Sequence, residues 1–173
     1  MLRLRSTTME LEKLRLGDQM HGLMDLINDL PYGITMVEIG CWQGESAELF
    51  LQSGKVNQFY AVDVWIKKKF QLAEIEFDKK TKGQPVTKLK MDMAQAIKKL
   101  PVVDFIYIDG NHSYESVKND LLNSLQVIKE GGIIAGHDYS AYYNNRVVKA
   151  VCEVLGCPDK IYKDTSWLKY MPL

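Results

Sequence analysis

Two apolar runs in this chain end in groups that can hold a cation or move a proton. The stretch DFIYIDGNHSYESV, Asp104 to Val117, carries Phe105, Ile106, Tyr107 and Ile108 straight into Asp109, Asn111 and His112. Downstream, GGIIAGHDY (Gly131 to Tyr139) carries Ile133, Ile134 and Ala135 into His137 and Asp138. Carboxylate oxygens bind hard divalent ions, and imidazole is the side chain that exchanges protons near neutral pH. A run of this kind reads as a strand covered on both faces, and in an open parallel sheet such strands deliver their C-terminal residues to the ligand crevice. Asp109 is the expected centre of the chemistry, with His137 and Asp138 beside it on a neighbouring strand end.

A second constellation lies upstream in MVEIGCWQGES, Met36 to Ser46, where Gly40 and Gly44 let the backbone turn sharply and approach a ligand at the start of a helix. A dinucleotide fingerprint would need glycine at positions 42 and 45, which hold Trp42 and Glu45. A pyrophosphate cradle is therefore disfavoured. The next strand ends in Ala61-Val62-Asp63, and an acid at that point can accept both hydroxyls of a ribose, so a nucleoside without phosphates fits both features. The competing reading is plainer: Gly40 and Gly44 shape a tight turn and Asp63 caps the next segment.

The elements that must position these groups alternate. Met20, Leu23, Met24, Ile27 and Leu30 fall at helical spacing, which predicts an amphipathic helix ending near Pro31 and Gly33, with residues 1–8 frayed. Strand and helix signals then follow in pairs: Ile34–Ile39 with Glu45–Gln52, Phe59–Val64 with Lys67–Asp78, and Val86–Met91 with Met93–Leu100. Val103–Ile108 with Ser113–Ile128 and Gly132–Ala135 with Asn145–Leu155 complete five βα units, an order that implies an α/β, Rossmann-like doubly wound sheet. Ile161–Lys163 and Trp167–Met171 read as a closing hairpin.

At 173 residues the chain fits a single domain, with residues 1–30 as an N-terminal helical extension. Lys plus Arg equals Asp plus Glu at 22 each, so no overall field draws in a polyanion, and no nucleic-acid partner is expected. No run is long enough to span a bilayer. The three cysteines, Cys41, Cys152 and Cys157, are odd in number and lack metal or redox spacing, which suits the reducing cytoplasm. Self-association is left open. Lys67, Lys68 and Lys69 read as a solvated helix face, Trp65 either covers a ligand or packs under that helix, and Tyr139, Tyr142 and Tyr143 either line an acceptor pocket or pack together.

The residues Glu38-Ile39-Gly40, Gly44, Asp63 and Asp109 resemble, in order and spacing, the landmarks of class I S-adenosylmethionine-dependent methyltransferases. IDGNHSYESVKNDL and KEGGIIAGHDY are similar to the small bacterial and phage group that includes sugar O-methyltransferases of the macrocin and mycinamicin type, and the resemblance runs from about Met36 to Trp167. It implies a seven-stranded sheet in the order 3-2-1-4-5-7-6 with the seventh strand antiparallel. It also implies that Glu38 organises the first turn, that Gly40, Cys41 and Trp42 present backbone to the methionine half of the cofactor, and that Ser46 reaches its carboxylate. Asp63 would hold the ribose, while Asp92 and Met93 would contact adenine. Asp109, His137 and Asp138 align with divalent-metal ligands, and His112, three residues after Asp109, stands where these enzymes place a general base. Carboxylates alone suit magnesium or calcium, whereas His137 in the shell favours manganese, iron or zinc. The implied activity is O-methylation of a small hydroxylated acceptor such as a sugar. The alternatives are a non-catalytic S-adenosylmethionine-binding module acting through partner contacts, for which Asn111 and His137 speak as departures from the group, and a nicotinamide enzyme, against which Trp42 and Glu45 speak.

Overall fold

The computed structural model describes residues 21–66, 68–141 and 145–173. Met20, the segment over residues 1–8, Lys67, Tyr142 and Tyr143 lie outside the described residues, as do the side chains of Lys68 and Lys69.

Helix α1 (His21–Asp29) buries Leu23, Leu26 and Ile27 as one stripe. Five strand–helix units follow: β1 (Ile34–Ile39) and α2 (Glu45–Gln52), β2 (Val56–Asp63) and α3 (Lys68–Lys80), β3 (Val86–Lys90) and α4 (Met93–Ala96), β4 (Val103–Ile108) and α5 (Tyr114–Ser124), β5 (Ile128–Gly136) and α6 (Arg146–Leu155). The chain closes with β6 (Lys160–Ile161) and β7 (Trp167–Tyr170). The seven strands lie in the order β3-β2-β1-β4-β5-β7-β6, the first five parallel and β7 antiparallel to both its neighbours. This is the expected Rossmann-like order.

Each strand feeds two cores, because successive residues point to opposite faces. Met36, Phe59 and Phe105 face α1, α2 and α3, where Phe50 meets the rings of Phe105 and Tyr107 at 5.6 and 5.2 Å. Val37, Ile106 and Ile134 face α4, α5 and α6 through Val117, Leu121 and Val151. Fully burying a side chain of this size contributes roughly 1.5–3 kcal/mol, enough for the two layers to hold the strand ends in register.

Helix α5 stops at Ser124, short of the expected Ile128, because Val127 and Ile128 are claimed by the sheet: Val103 N–H donates to Val127 O, and Ile128 pairs with Val103. Strand β2 starts earlier than expected, at Val56, since Ile34 pairs there. No helix among the described residues is long and apolar enough to cross a membrane.

Candidate active site

The strand order places the C-terminal ends of β2, β1, β4 and β5 side by side, and these ends carry Asp63, Gly40, Asp109 and His137. A cavity of about 790 Å³ opens along them. It is lined by Ile39, Gly40 and Trp42 from the β1 end, Asp63 and Val64 from the β2 end, Met91, Asp92 and Met93 after β3, and Asp109, Gly110 and Asn111 after β4.

Gly40 sits at φ +88°, and a Cβ there would lie 2.4 Å from Gly110 Cα and 2.5 Å from the Asp109 carbonyl oxygen. Only glycine lets the first turn lie flat on the β4 turn. Gly44 has a different role: its φ is +77°, it precedes α2, and a Cβ would press on the Phe77 ring at 2.9 Å, so it serves the packing of α2 against α3 and does not line the cavity. Trp42 adopts φ +47°, which gives the turn a shape that no spacing rule foretold.

Asp63 joins two turns. Its Oδ2 accepts the Trp42 N–H at 2.9 Å and its Oδ1 accepts the Trp65 N–H at 3.1 Å. A carboxylate oxygen has two acceptor sites, so both oxygens keep capacity for a ligand hydroxyl. The capping and ligand readings of Asp63 are therefore compatible. Trp65 is buried against Phe77 at 5.3 Å and donates its ring N–H to Trp42 O, so it packs under α3.

Three residues of the expected cofactor set direct their side chains inward, and the contact expected of Cys41 is one of backbone. Cys41 is buried with its thiol directed at the carbonyls of Glu38 and Val62. Ser46 donates to the Glu38 carboxyl, which takes its hydroxyl away from any ligand carboxylate. Glu38 is fully buried, and burial pushes its pKa up to about 8, with Asp109 adding to the rise and Ser46 opposing it. From this position Glu38 reaches Ser46 through its carboxyl and Cys41 through its backbone carbonyl.

On the far side of Asp109 lies the second group. One ligand atom each from Asp109, His137 and Asp138 falls within 4.8 Å of the others. His112 spans the two carboxylates, with Nδ1 3.1 Å from Asp138 Oδ2 and Nε2 3.5 Å from Asp109 Oδ1. Asp138 holds φ +61°, a left-handed conformation that turns its carboxylate toward both imidazoles. Burial raises the Asp109 pKa, while the hydrogen bond to Asp109 raises that of His112. Burial alone would lower His137, but Asp138 and Asp109 outweigh it and bring it to about 9. Tyr139 donates toward the Cys152 thiol at 3.1 Å or accepts from it, and packs against the core on the α6 side.

Residues 37–139 match the family model of a methyltransferase domain. The chain belongs to this methyltransferase domain family. Over 148 residues the methyltransferase domain is 28% identical to protein R132 of Acanthamoeba polyphaga mimivirus, covering 80% of this chain and 64% of the viral protein. Among solved structures it is similar to a putative SAM-dependent methyltransferase from Streptococcus mutans, with a TM-score of 0.68 and 15% identity over 91% of this chain and 50% of that one. A putative methyltransferase solved with S-adenosylhomocysteine (SAH) gives a TM-score of 0.65 and 16% identity over 91% of this chain and 49% of the other. These structural likenesses are of fold. The methyltransferase domain spans about half the length of either solved chain and 64% of the viral relative.

Sequence reading passed over one wall of the cavity. Ser116, Asn119, Asp120 and Asn123 of α5 line it, at the i, i+3, i+4, i+7 spacing of a single helix face. The signal was the spacing itself, but a polar helix face ordinarily meets solvent.

Glu38 gives a stability test. Its folded pKa of about 8 lies above the ordinary value of 4.5, so the folded state holds a proton that the unfolded chain releases between those values. The associated stability is full below about pH 4.5 and is lost as pH rises through about 8. Glu38→Gln copies the protonated acid and keeps an acceptor for Ser46. By thermal melting, the variant is expected to match the parent in acid and to exceed it above pH 8, by roughly 5 °C or more. Parallel melting curves for the two proteins across that range would show that Glu38 ionises freely.

Proposed function

We propose that the chain is an S-adenosylmethionine-dependent methyltransferase that methylates a hydroxyl of a small molecule, a sugar or glycosylated metabolite, with a divalent ion beside the acceptor. The observation that carries this reading is the shared wall: Asp109 lines the cavity and also belongs to the Asp109–His137–Asp138 cluster. A nucleoside donor on one side of Asp109 and a hydroxyl acceptor on the other would meet across it.

The cavity suits the donor. Gly40, where a Cβ would strike the Gly110 and Asp109 backbone, packs closely on the β4 turn and with Gly110 lines the cavity, Asp63 presents acceptors for ribose hydroxyls, and Val64, Met91 and Met93 offer apolar surface for a flat base beside Asp92. Bound S-adenosylmethionine supplies a methyl group on a sulfonium, which is already an electrophile. What the protein must add is a nucleophile, since a neutral alcohol attacks poorly.

The cluster suits a cation as well, because two carboxylates and an imidazole converge there, and no ion pair with a Lys or Arg reaches these carboxylates among the described residues. A divalent ion held there by Asp109, His137 and Asp138 supplies positive charge that lowers the pKa of a nearby hydroxyl. The donor set of two oxygens and one nitrogen takes manganese readily and magnesium or calcium less so. His112 accepts the hydroxyl proton at Nε2, while Nδ1, 3.1 Å from Asp138, is oriented by that carboxylate. An imidazole held between two carboxylates is more basic than a free one.

We place the acceptor, rather than a macromolecule, at this cluster because the charge balance of the chain gives no field for nucleic acid. The odd number of cysteines supports a cytoplasmic setting. Labelled methyl should pass from S-adenosylmethionine to members of a panel of free sugars, nucleotide sugars and glycosides when manganese or magnesium is present. Label transferred only to amines or thiols, or to no hydroxyl compound under any metal, would overturn the O-methylation reading.

A further inference from the structure

Two free thiols meet at the end of α6, and neither lines the cavity. Cys152 is half-buried on the helix and Cys157 is exposed just beyond it, yet their Sγ atoms lie 3.7 Å apart. Spacing does not announce the pair, because residues three and four apart are the neighbours on a helix surface and residues five apart are not. Helix α6 stops at Leu155, however, and Gly156 takes φ +76° while its N–H donates to Cys152 O at 3.2 Å. That turn, in a conformation glycine adopts without strain, brings Cys157 back to Cys152. Cys41 takes no part, since its thiol is buried in the first turn against the Glu38 and Val62 carbonyls. The Tyr139 hydroxyl shares a hydrogen bond with Cys152 Sγ at 3.1 Å, which ties the pair to the turn that carries Asp138.

We propose that Cys152 and Cys157 form a reversible dithiol–disulfide site that exchanges with a low-molecular-weight disulfide of the glutathione type. The exposed Cys157 thiolate attacks one sulfur of the small disulfide, giving a mixed disulfide on Cys157 and expelling a small thiolate, which takes up the proton Cys157 has lost. Cys152, already in contact, then attacks Cys157 Sγ as its thiolate, closes the Cys152–Cys157 bond and expels the second small thiolate, which is protonated in turn. Two protein thiols are oxidised to one disulfide, and one small disulfide is reduced to two small thiols. The sulfurs need only close from 3.7 Å to a bond of about 2.05 Å, and rotation of the two side chains about the glycine turn supplies that. A bridge that encloses so short a loop removes little entropy from the unfolded chain, and an exposed bridge is open to attack, so small thiols reopen it. Transient disulfides of this labile kind are the ones a reducing compartment holds. The site needs neither the nucleoside nor the ion.

The test exposes the reduced, folded chain to excess glutathione disulfide, quenches with acid, alkylates after unfolding and reads intact and peptide masses. The Cys152 thiol raises the pKa of Cys157 while Lys169 acts the other way, so the exchange is run at mildly alkaline pH, where thiolate is populated. The parent is expected to lose two hydrogens, to carry no glutathionyl group and to alkylate at Cys41 alone; excess reduced glutathione then returns all its thiols. Cys152→Ser, which keeps a hydroxyl facing Tyr139, should stop at a mixed disulfide on Cys157. Cys157→Ser should react more slowly by roughly tenfold or more, because Cys152 is half-buried. A parent that keeps every thiol, accumulates a stable glutathionyl group on Cys157 or becomes a disulfide-linked dimer overturns the proposal. The decisive masses are those of the parent, so the result stands whether or not either variant folds well.

Discussion

Asp138→Asn is expected to lose methyl transfer by at least roughly a hundredfold and to need far more manganese for what remains, because outer-shell partners of metal ligands alone cost about 10–100-fold. Asparagine is the right replacement. Asp138 lies at φ +61°, where asparagine and aspartate are the side chains best tolerated, so the turn after β5 should survive and only the charge is lost. The measurement is initial rate against added manganese, magnesium or calcium, after exhaustive chelation of both proteins. Full activity of the parent in a preparation verified to be metal-free would reduce Asp109, His137 and Asp138 to turn formers.

The second large effect belongs to His112. Replacing it with glutamine keeps a polar group between Asp109 and Asp138 but removes the proton acceptor, and turnover should fall by roughly a hundredfold. Cofactor affinity should stay within about twofold, since His112 stands on the cluster side of Asp109. Unchanged turnover would end its role as base. A fall in metal affinity of similar size would instead make it a ligand.

The βα order and the strand ends were legible because buried parallel strands are continuous apolar runs whose first polar residue marks the crevice: Asp63, Asp109 and His137 all declare themselves in this way. Backbone conformation was not legible at Trp42 or Asp138, since a positive φ on a residue other than glycine is imposed by its surroundings. Nor was the direction of side chains within the first turn. Ser46 looks like a side-chain ligand contact by position, yet the buried Glu38 carboxyl captures its hydroxyl, and the thiol of Cys41, whose expected contact is through backbone, turns to the Glu38 and Val62 carbonyls. Asp120 escaped notice for a related reason: its exposure depends on α4 and α5 leaving a cavity between them, and neither helix encodes that gap alone.

The most direct test of the central claim is calorimetric titration of the parent and of Asp63→Ala with SAH and with NAD. The expected result is saturable binding of SAH by the parent, no comparable binding of NAD, and a loss of roughly ten- to a hundredfold for Asp63→Ala, about 1.5–3 kcal/mol for a hydrogen-bonded carboxylate. NAD binding more tightly than SAH, or Asp63→Ala binding SAH as well as the parent does, would contradict it.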